Sequence, residues 1–310
     1  MFQFHELTRF LEELSIRGDW RAHADFTIEG ASPVSESRPR TITWMRKQDL
    51  DWSRIRAAVI VCARDFTPPA GSAIVFIPVE NPRLVFTRIL RRFFLSAPAA
   101  GIDPSARIGE DCTIGAGVAI GPYCVIGREV VIGARCEIRN HVVIGDRTVM
   151  GADCVIRSHA VVGEECLGAE IDEAGHPLAV PHVGRVVLGH DVRIGSFSTV
   201  SRATLGETRI GDYVQIDDHV HVAHNVTIES DTIVTGCAEI SGGVHVGPGV
   251  WLGPNCALIQ KIRIGGNALI GIGAVVLKDV EADRIAAAMP ASLLPASLNR
   301  PARETAREGE

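Results

Sequence analysis

Residues 102–132, IDPSARIGEDCTIGAGVAIGPYCVIGREVVI, carry an isoleucine at every sixth position: Ile102, Ile108, Ile114, Ile120, Ile126 and Ile132. A period of six fits neither the 3.6-residue helix nor the two-residue alternation of a strand. It marks a β-helix in which each hexad forms one side of a triangular coil. Aliphatic side chains stack inside, and glycine or polar residues turn the corners. The register continues through Ile138, Ile144, Met150, Ile156 and Val162, stops, and resumes at Leu188, Ile194 and Val200. After one irregular loop it runs from Ile210 to Val276. At ~4.8 Å between strands, about nine coils make a prism roughly 40 Å tall.

Four residues after each aliphatic stands a small or β-branched one, as at Val118, Val130, Val142, Val214, Val220, Val226 and Val250. Cys112, Cys124, Cys136, Cys154, Cys166 and Cys256 occupy the same position and are expected as compact inward thiols. No Cys-x-x-Cys pair occurs, which argues against a zinc cluster and leaves the expectation of no metal.

Composition agrees with a thin repetitive fold: 46% of the 310 residues are hydrophobic, only 5% are aromatic, and there are 31 glycines. A net charge of −6 provides no basic field for nucleic acid or an anionic membrane. The first residues lack a basic segment followed by an apolar run, and no stretch approaches the ~20 apolar residues of a membrane span. A soluble, cytoplasmic protein is expected.

Residues 1–99 lack the hexad. They read as an α/β domain with a helix near Phe4–Ser15, strands near Ala57–Cys62 and Ser72–Val79, and a helix after Asn81-Pro82 whose apolar face is Leu84, Phe86, Ile89 and Leu90. Residues 100–291 form the β-helix domain, interrupted at 167–185 by a segment with Gly168, Asp172, Gly175, His176, Pro177 and Pro181 that reads as a protruding loop. Met289-Pro290-Ala291 is expected to close the prism, ahead of a polar tail at 292–310. The fold class is mainly β, a parallel β-helix of hexapeptide repeats with a small N-terminal α/β domain.

A β-helix is a scaffold, so function must come from a site. Asp217-Asp218-His219-Val220-His221-Val222-Ala223-His224-Asn225 gathers three of the chain's 11 histidines. With Val222 inward, His224 falls on a turn and points out at a corner. One coil on lies Gly242, which adds no side chain there and leaves backbone N–H groups approachable. Histidine is the natural general base near neutral pH, and a backbone N–H can stabilise an oxyanion. Attack of an amine on a thioester needs no metal and no resident cofactor. Two other readings stay open: solvated turn histidines on a non-catalytic scaffold, or a carbonic-anhydrase-type zinc site joining His219, His224 and His182.

These stretches resemble the UDP-3-O-(3-hydroxyacyl)glucosamine N-acyltransferases of lipid A biosynthesis, part of lipopolysaccharide assembly. The resemblance spans residues 1–291 and rests on Asn81-Pro82, the hexads, Val183-Gly184-Arg185-Val186, Leu205-Gly206-Glu207-Thr208-Arg209-Ile210-Gly211, and Ile216-Asp217 leading to Ala223-His224-Asn225-Val226. It implies left-handed winding, a homotrimer with active sites between neighbouring prisms, and His224 as general base beside Gly242. It further implies an N-terminal domain that stacks uracil on Trp44, with Asp217, Asp218 and Asn225 near the substrate. The family's uracil-pocket asparagine and tyrosine fall on Lys47 and Leu50, with Trp52 nearby, and a second active-site histidine falls on Lys261. The loop Cys166-Leu167-Gly168-Ala169 and the run Ser201-Arg202-Ala203 also depart from the family. The family's C-terminal helical extension, which helps recruit acyl carrier protein, is not matched. Ile270–Val280 resembles the closing coils of acyl-CoA-dependent sugar N-acetyltransferases, and Lys261 or Lys278 can meet coenzyme A phosphates. The expected acceptor is a nucleotide-linked amino sugar, and the expected donor is acyl-ACP (acyl carrier protein) or acyl-CoA.

Overall fold

Each hexad builds a two-residue strand and a four-residue turn, because the repeat aliphatic and the residue before it are extended and the small residue four later lets the chain bend inward. A computed structural model describes residues 1–18, 20, 23–46, 50–96 and 98–288. The repeat strands form three parallel sheets of ten, nine and eight strands. Pairing advances by one coil, as Ala119 to Glu137 to Val155 shows, so Ile120, Ile138 and Ile156 stack directly. All three columns of repeat aliphatics belong to one buried cluster running from Val118 to Val276. Each such side chain contributes about 1.5–3 kcal/mol relative to exposure. Buried hydroxyls of the prism are bonded: Thr148 to the Gly145 carbonyl, Ser198 to that of Asp217 and Thr232 to that of Gly247.

The prism gains one strand that the strict period misses, Ile285–Ala286, which completes the ten-stranded sheet beside Leu269–Ile270. Val280 forms a bridge to Ile264 on the way. The expected closing Met289-Pro290-Ala291 and the tail lie outside the described residues.

The protruding segment is a β-hairpin, Ala169–Ile171 against Pro177–Ala179, and the coil resumes with the strand Arg185–Leu188. The hairpin leaves the prism where the nine-stranded sheet passes into the eight-stranded one, here termed the second corner. The irregular loop 201–206 and the turns at 223–226, 241–244 and 259–262 stand on this same corner in the coils that follow.

The first corner, between the ten- and nine-stranded sheets, carries a ladder of rings. Tyr123, His141, His159, Phe197 and His219 stack in turn, with centroids 5.0, 4.9, 4.8 and 5.3 Å apart and nearly parallel planes.

Chain contacts divide the molecule into Met1–Ala97 and Pro98–Glu310. In the first unit, β1 (Phe2–Gln3) pairs antiparallel with β2 (Thr27–Ile28), and β3 (Gly30–Ala31), β4 (Thr41–Trp44), β5 (Val59–Ala63) and β6 (Val75–Val79) form a parallel sheet. Helix α1 is Phe4–Glu13, with the Glu6 carboxylate accepting from the Gln3 N–H. Helix α2, Pro82–Phe93, is capped by Asn81, whose Oδ1 accepts from the Leu84 N–H. Its buried face is Pro82, Val85, Phe86 and Ile89, whereas Leu84 is exposed. The expected apolar face thus holds at Phe86, Ile89 and the partly buried Leu90, and Val85 takes the place of Leu84.

Cys124, Cys136, Cys154 and Cys256 are buried, whereas Cys112 is half-buried at the first coil. Cys166 is also half-buried, and it is not a core thiol: the register has already broken there, and its Sγ lies 4.0 Å from His221 Nε2. Burial pushes the Cys62 and Cys256 thiols up to about 11, which depletes the reactive thiolate near neutral pH. Iodoacetamide at pH 7.5 should therefore modify the exposed Cys237 while sparing Cys256 until the chain is unfolded. Peptide mass mapping that found Cys256 alkylated in the folded protein as fast as Cys237 would contradict this packing.

Candidate active site

The second corner is built as a hydrogen-bonded column. The Val183, Gly184 and Arg185 N–H groups at the end of the hairpin segment donate to carbonyls of Thr204, Ala203 and Gly206 in the irregular loop. That loop in turn holds Asn225. The Gly243 N–H donates to the His224 carbonyl at 2.9 Å, and the Lys261 N–H donates to the Gly242 carbonyl at 3.0 Å. His224, Gly242 and Lys261 thus stand on one edge, with Lys261 two coils, or ~10 Å, from the His224 level. Each turn needs a left-handed residue at its third position, which is Asn225 at φ 57°, Gly243 at φ 70° and Lys261 at φ 64°.

His224 is half-buried, while its neighbours Val222 and Ala223 are buried. The Asn225 amide orients it. Asn225 Nδ2 donates to the Leu205 carbonyl at 2.9 Å, and Oδ1 accepts from the Thr204 N–H at 3.0 Å, so the amide cannot be flipped without losing both bonds. Oδ1 lies 3.1 Å from His224 Nδ1 and can only accept, so this contact is a hydrogen bond when Nδ1 carries the proton; the Thr204 hydroxyl lies 3.5 Å from the same nitrogen. In that tautomer Nε2 is the unprotonated nitrogen. It faces Gly242, where an added Cβ would lie 2.6 Å from Nε2. Nε2 and the Gly242 N–H have no hydrogen-bond partner among the described residues. An open base thus lies beside an open donor.

The carbonyl oxygen and one N–H of the Asn225 side chain are engaged within the chain and orient the imidazole, while the second Nδ2 N–H has no partner among the described residues. The Asn225 backbone N–H is held by the Thr208 hydroxyl at 2.9 Å. Asp217 and Asp218 stand on the first corner. The Asp218 carboxylate accepts from the Ser196 N–H and pairs with Arg157 at 3.0 Å, which is a role in coil stacking. His219 belongs to the ring ladder on that corner, so the three histidines of the zinc reading are not assembled there. Among the described residues no group of three or more His, Cys, Asp or Glu can hold a metal ion.

The inserted segment meets the histidine run at both ends. Cys166 approaches His221, whose Nδ1 lies 2.6 Å from the Thr199 hydroxyl, and His182 packs against His224 with ring centroids 5.2 Å apart at 67°. Sequence reading named His182 only within the zinc alternative and did not find Thr204. The available signal was that the insertion, the irregular loop and His224 fall on one corner when hexads are counted by threes.

In the first unit, Trp44 ends β4 and lines a cavity of about 500 Å³ with Ser32, Ser35, Thr43, Phe86 and Leu90 among its walls. A smaller cavity on Trp44 is lined also by Val34, Met45, Arg46 and Leu50. Trp52 packs instead on Phe66 and Phe76, at 5.6 and 6.0 Å. Lys47 lies outside the described residues.

A prism of hexapeptide coils with an unprotonated imidazole nitrogen open at one corner defines a hexapeptide-repeat acyltransferase. Residues 207–242 match the family model for the bacterial transferase hexapeptide (six repeats), and residues 96–205 match that for the GMPPB C-terminal domain. The UDP-3-O-acylglucosamine N-acyltransferase of Coxiella burnetii (strain Dugway 5J108-111) is 32% identical over 234 residues, which cover 68% of each chain. UDP-3-O-acylglucosamine N-acyltransferase 2 of Legionella pneumophila (strain Paris) is 37% identical over 211 residues, 62% of each chain. Among solved structures, LpxA from Acinetobacter baumannii is 30% identical with a TM-score of 0.55, over 61% of this chain and 71% of that one. The UDP-N-acetylglucosamine O-acyltransferase (LpxA) of Moraxella catarrhalis is 29% identical with a TM-score of 0.54, over 60% and 71%. The chain belongs to the UDP-3-O-acylglucosamine N-acyltransferase family.

Gly242 tests the geometry directly. Gly242→Ala should displace the His224 ring and lower turnover by about 100-fold, the scale of a 1 Å misplacement, while circular dichroism and melting stay near the parent. Full activity in that variant would show that the ring is not confined against this glycine.

Proposed function

We propose that the protein transfers an acyl group from a thioester donor to the amine of a nucleotide-linked amino sugar, with UDP as the nucleotide. The observation that carries this reading is the Asn225 Oδ1 3.1 Å from His224 Nδ1, with Nε2 facing the side-chain-free Gly242; the Nδ1-protonated tautomer that suits this contact leaves Nε2 free to act as the base. Nε2 removes a proton from the amine as its nitrogen attacks the thioester carbonyl, and the Gly242 N–H or a neighbouring amide stabilises the oxyanion. The tetrahedral species collapses by breaking the carbon–sulfur bond. The imidazolium returns its proton to the leaving thiolate, and His224 is regenerated with an amide and a free thiol as products.

The family relationship supports amine acylation, since the relatives described above are named N-acyltransferases. Trp44, at the meeting of two cavities, is the platform for the nucleotide base. Lys261 lies on the His224 edge and can neutralise a phosphate of the donor's carrier arm, whether acyl carrier protein or coenzyme A. We assign the working form as a homotrimer, with the neighbouring prism completing the groove beside the second corner. Among the described residues no helix is long and apolar enough to cross a membrane, and we place the reaction in the cytoplasm, with lipid A or another surface glycan as its destination.

Incubation with UDP- and dTDP-linked amino sugars and with acyl-CoA and acyl-carrier donors should yield an amide product by mass with one donor class. His224→Ala should lower that turnover by about 100-fold or more with the fold preserved, as deletion of a general base does. Undiminished turnover would rule out His224 as the base. Trp44→Ala should raise the KM for the nucleotide sugar more than it lowers kcat, the mark of lost uniform binding. An unchanged KM would remove Trp44 from the nucleotide site.

A further inference from the structure

Among the described residues, one side chain has fully buried polar atoms without a partner. His182 is 2% exposed, and its Nδ1 and Nε2 are the only buried side-chain nitrogen or oxygen atoms among the described residues without a hydrogen bond. Leaving such atoms dry and unpaired costs about 1–3 kcal/mol each. An apolar residue of similar shape would avoid this penalty. The orphaned ring occurs at one place in the fold, in edge-to-face contact with His224 at a centroid distance of 5.2 Å. Gly168 stands near the same ring, where an added Cβ would come to ordinary van der Waals distance, 3.4 Å, from His182 Cε1. The inserted segment thus places an unpartnered imidazole against the ring that takes up the proton.

We infer that His182 is a positioning residue for the reaction, acting through His224: its unpartnered ring favours the imidazolium that His224 becomes during acyl transfer. This rests on the reading of His224 as the base. When His224 gains the proton, the new charge lies beside a ring whose nitrogens have no other partner, and a nitrogen lone pair there attracts it. Before proton transfer the contact supplies little beyond packing. The contact therefore strengthens as the transition state forms, which is the kind of interaction that raises kcat and leaves KM alone. Asn225 complements it by holding Nδ1–H, so the two neighbours set the orientation and the charge tolerance of one ring.

The test compares wild type, His224→Ala, His182→Phe and His182→Gln in the same amide-forming assay, with thermal melts alongside. Phenylalanine keeps an aromatic ring and removes both orphaned nitrogens. It should melt at or above the wild-type temperature, hold both KM values within about twofold and lose about tenfold in kcat, equivalent to about 1.4 kcal/mol. Glutamine restores an acceptor and should recover part of that loss. Should the phenylalanine variant not fold, His182→Leu carries the same kinetic expectation. Wild-type kcat in the apolar variant, or no recovery with glutamine, would overturn the role of His182 while leaving His224 in place. If His224→Ala itself matched wild type, the base assignment would fail instead, so the two failures are distinguishable.

Discussion

The second corner of the prism is held by backbone hydrogen bonds from coil to coil, and the proposed acyl-transfer chemistry depends on that column. Its members are far apart in sequence: the end of the hairpin segment, the loop at 201–206, His224 with Asn225, Gly242 with Gly243, and Lys261. Stacked aliphatics fix the height of each coil, and the amide bonds fix the rotation of each turn. A residue placed on this edge by the register is therefore positioned without a dedicated core of its own. That is why a thin fold with few aromatic residues can hold an imidazole, a bare glycine and a lysine in line.

The chemistry follows from what this edge lacks as much as from what it carries. Gly242 has no side chain to cover His224 Nε2, and the corner amide beside it donates to nothing among the described residues. Asn225 engages its amide at both ends, so its contact with Nδ1 is directional. A thioester is already activated, and an amine requires mainly proton removal and a stabilised oxyanion. Those demands match one oriented imidazole and one free N–H.

Period six made the prism legible residue by residue, because an inward aliphatic every sixth position leaves no other stable packing. His224 and Gly242 were legible for the same reason: counting hexads by threes puts them on one edge. What counting did not reveal was the work of side chains that bond across coils. The Asn225 amide bonds to Thr204 and Leu205 beside the His224 ring, and the Asp218 carboxylate bonds to Ser196 and Arg157. Cys166 was assigned to the core by extending the register past Gly163, where the coil has already broken off. The hairpin itself read as a loop, because its strands are short and solvent-exposed, and His182 lies where the periodic signal is silent.

The orientation of the His224 proton is the point on which the catalytic account turns, and it can be measured without any substrate. In protein labelled with 15N at histidine, two-dimensional spectra correlating ring nitrogens with ring protons distinguish the two neutral tautomers above the titration range. The account predicts that His224 carries its proton on Nδ1, with Nε2 in the unprotonated range, and that Asn225→Ala releases this preference. Observation of the Nε2-protonated tautomer in the native protein would contradict it.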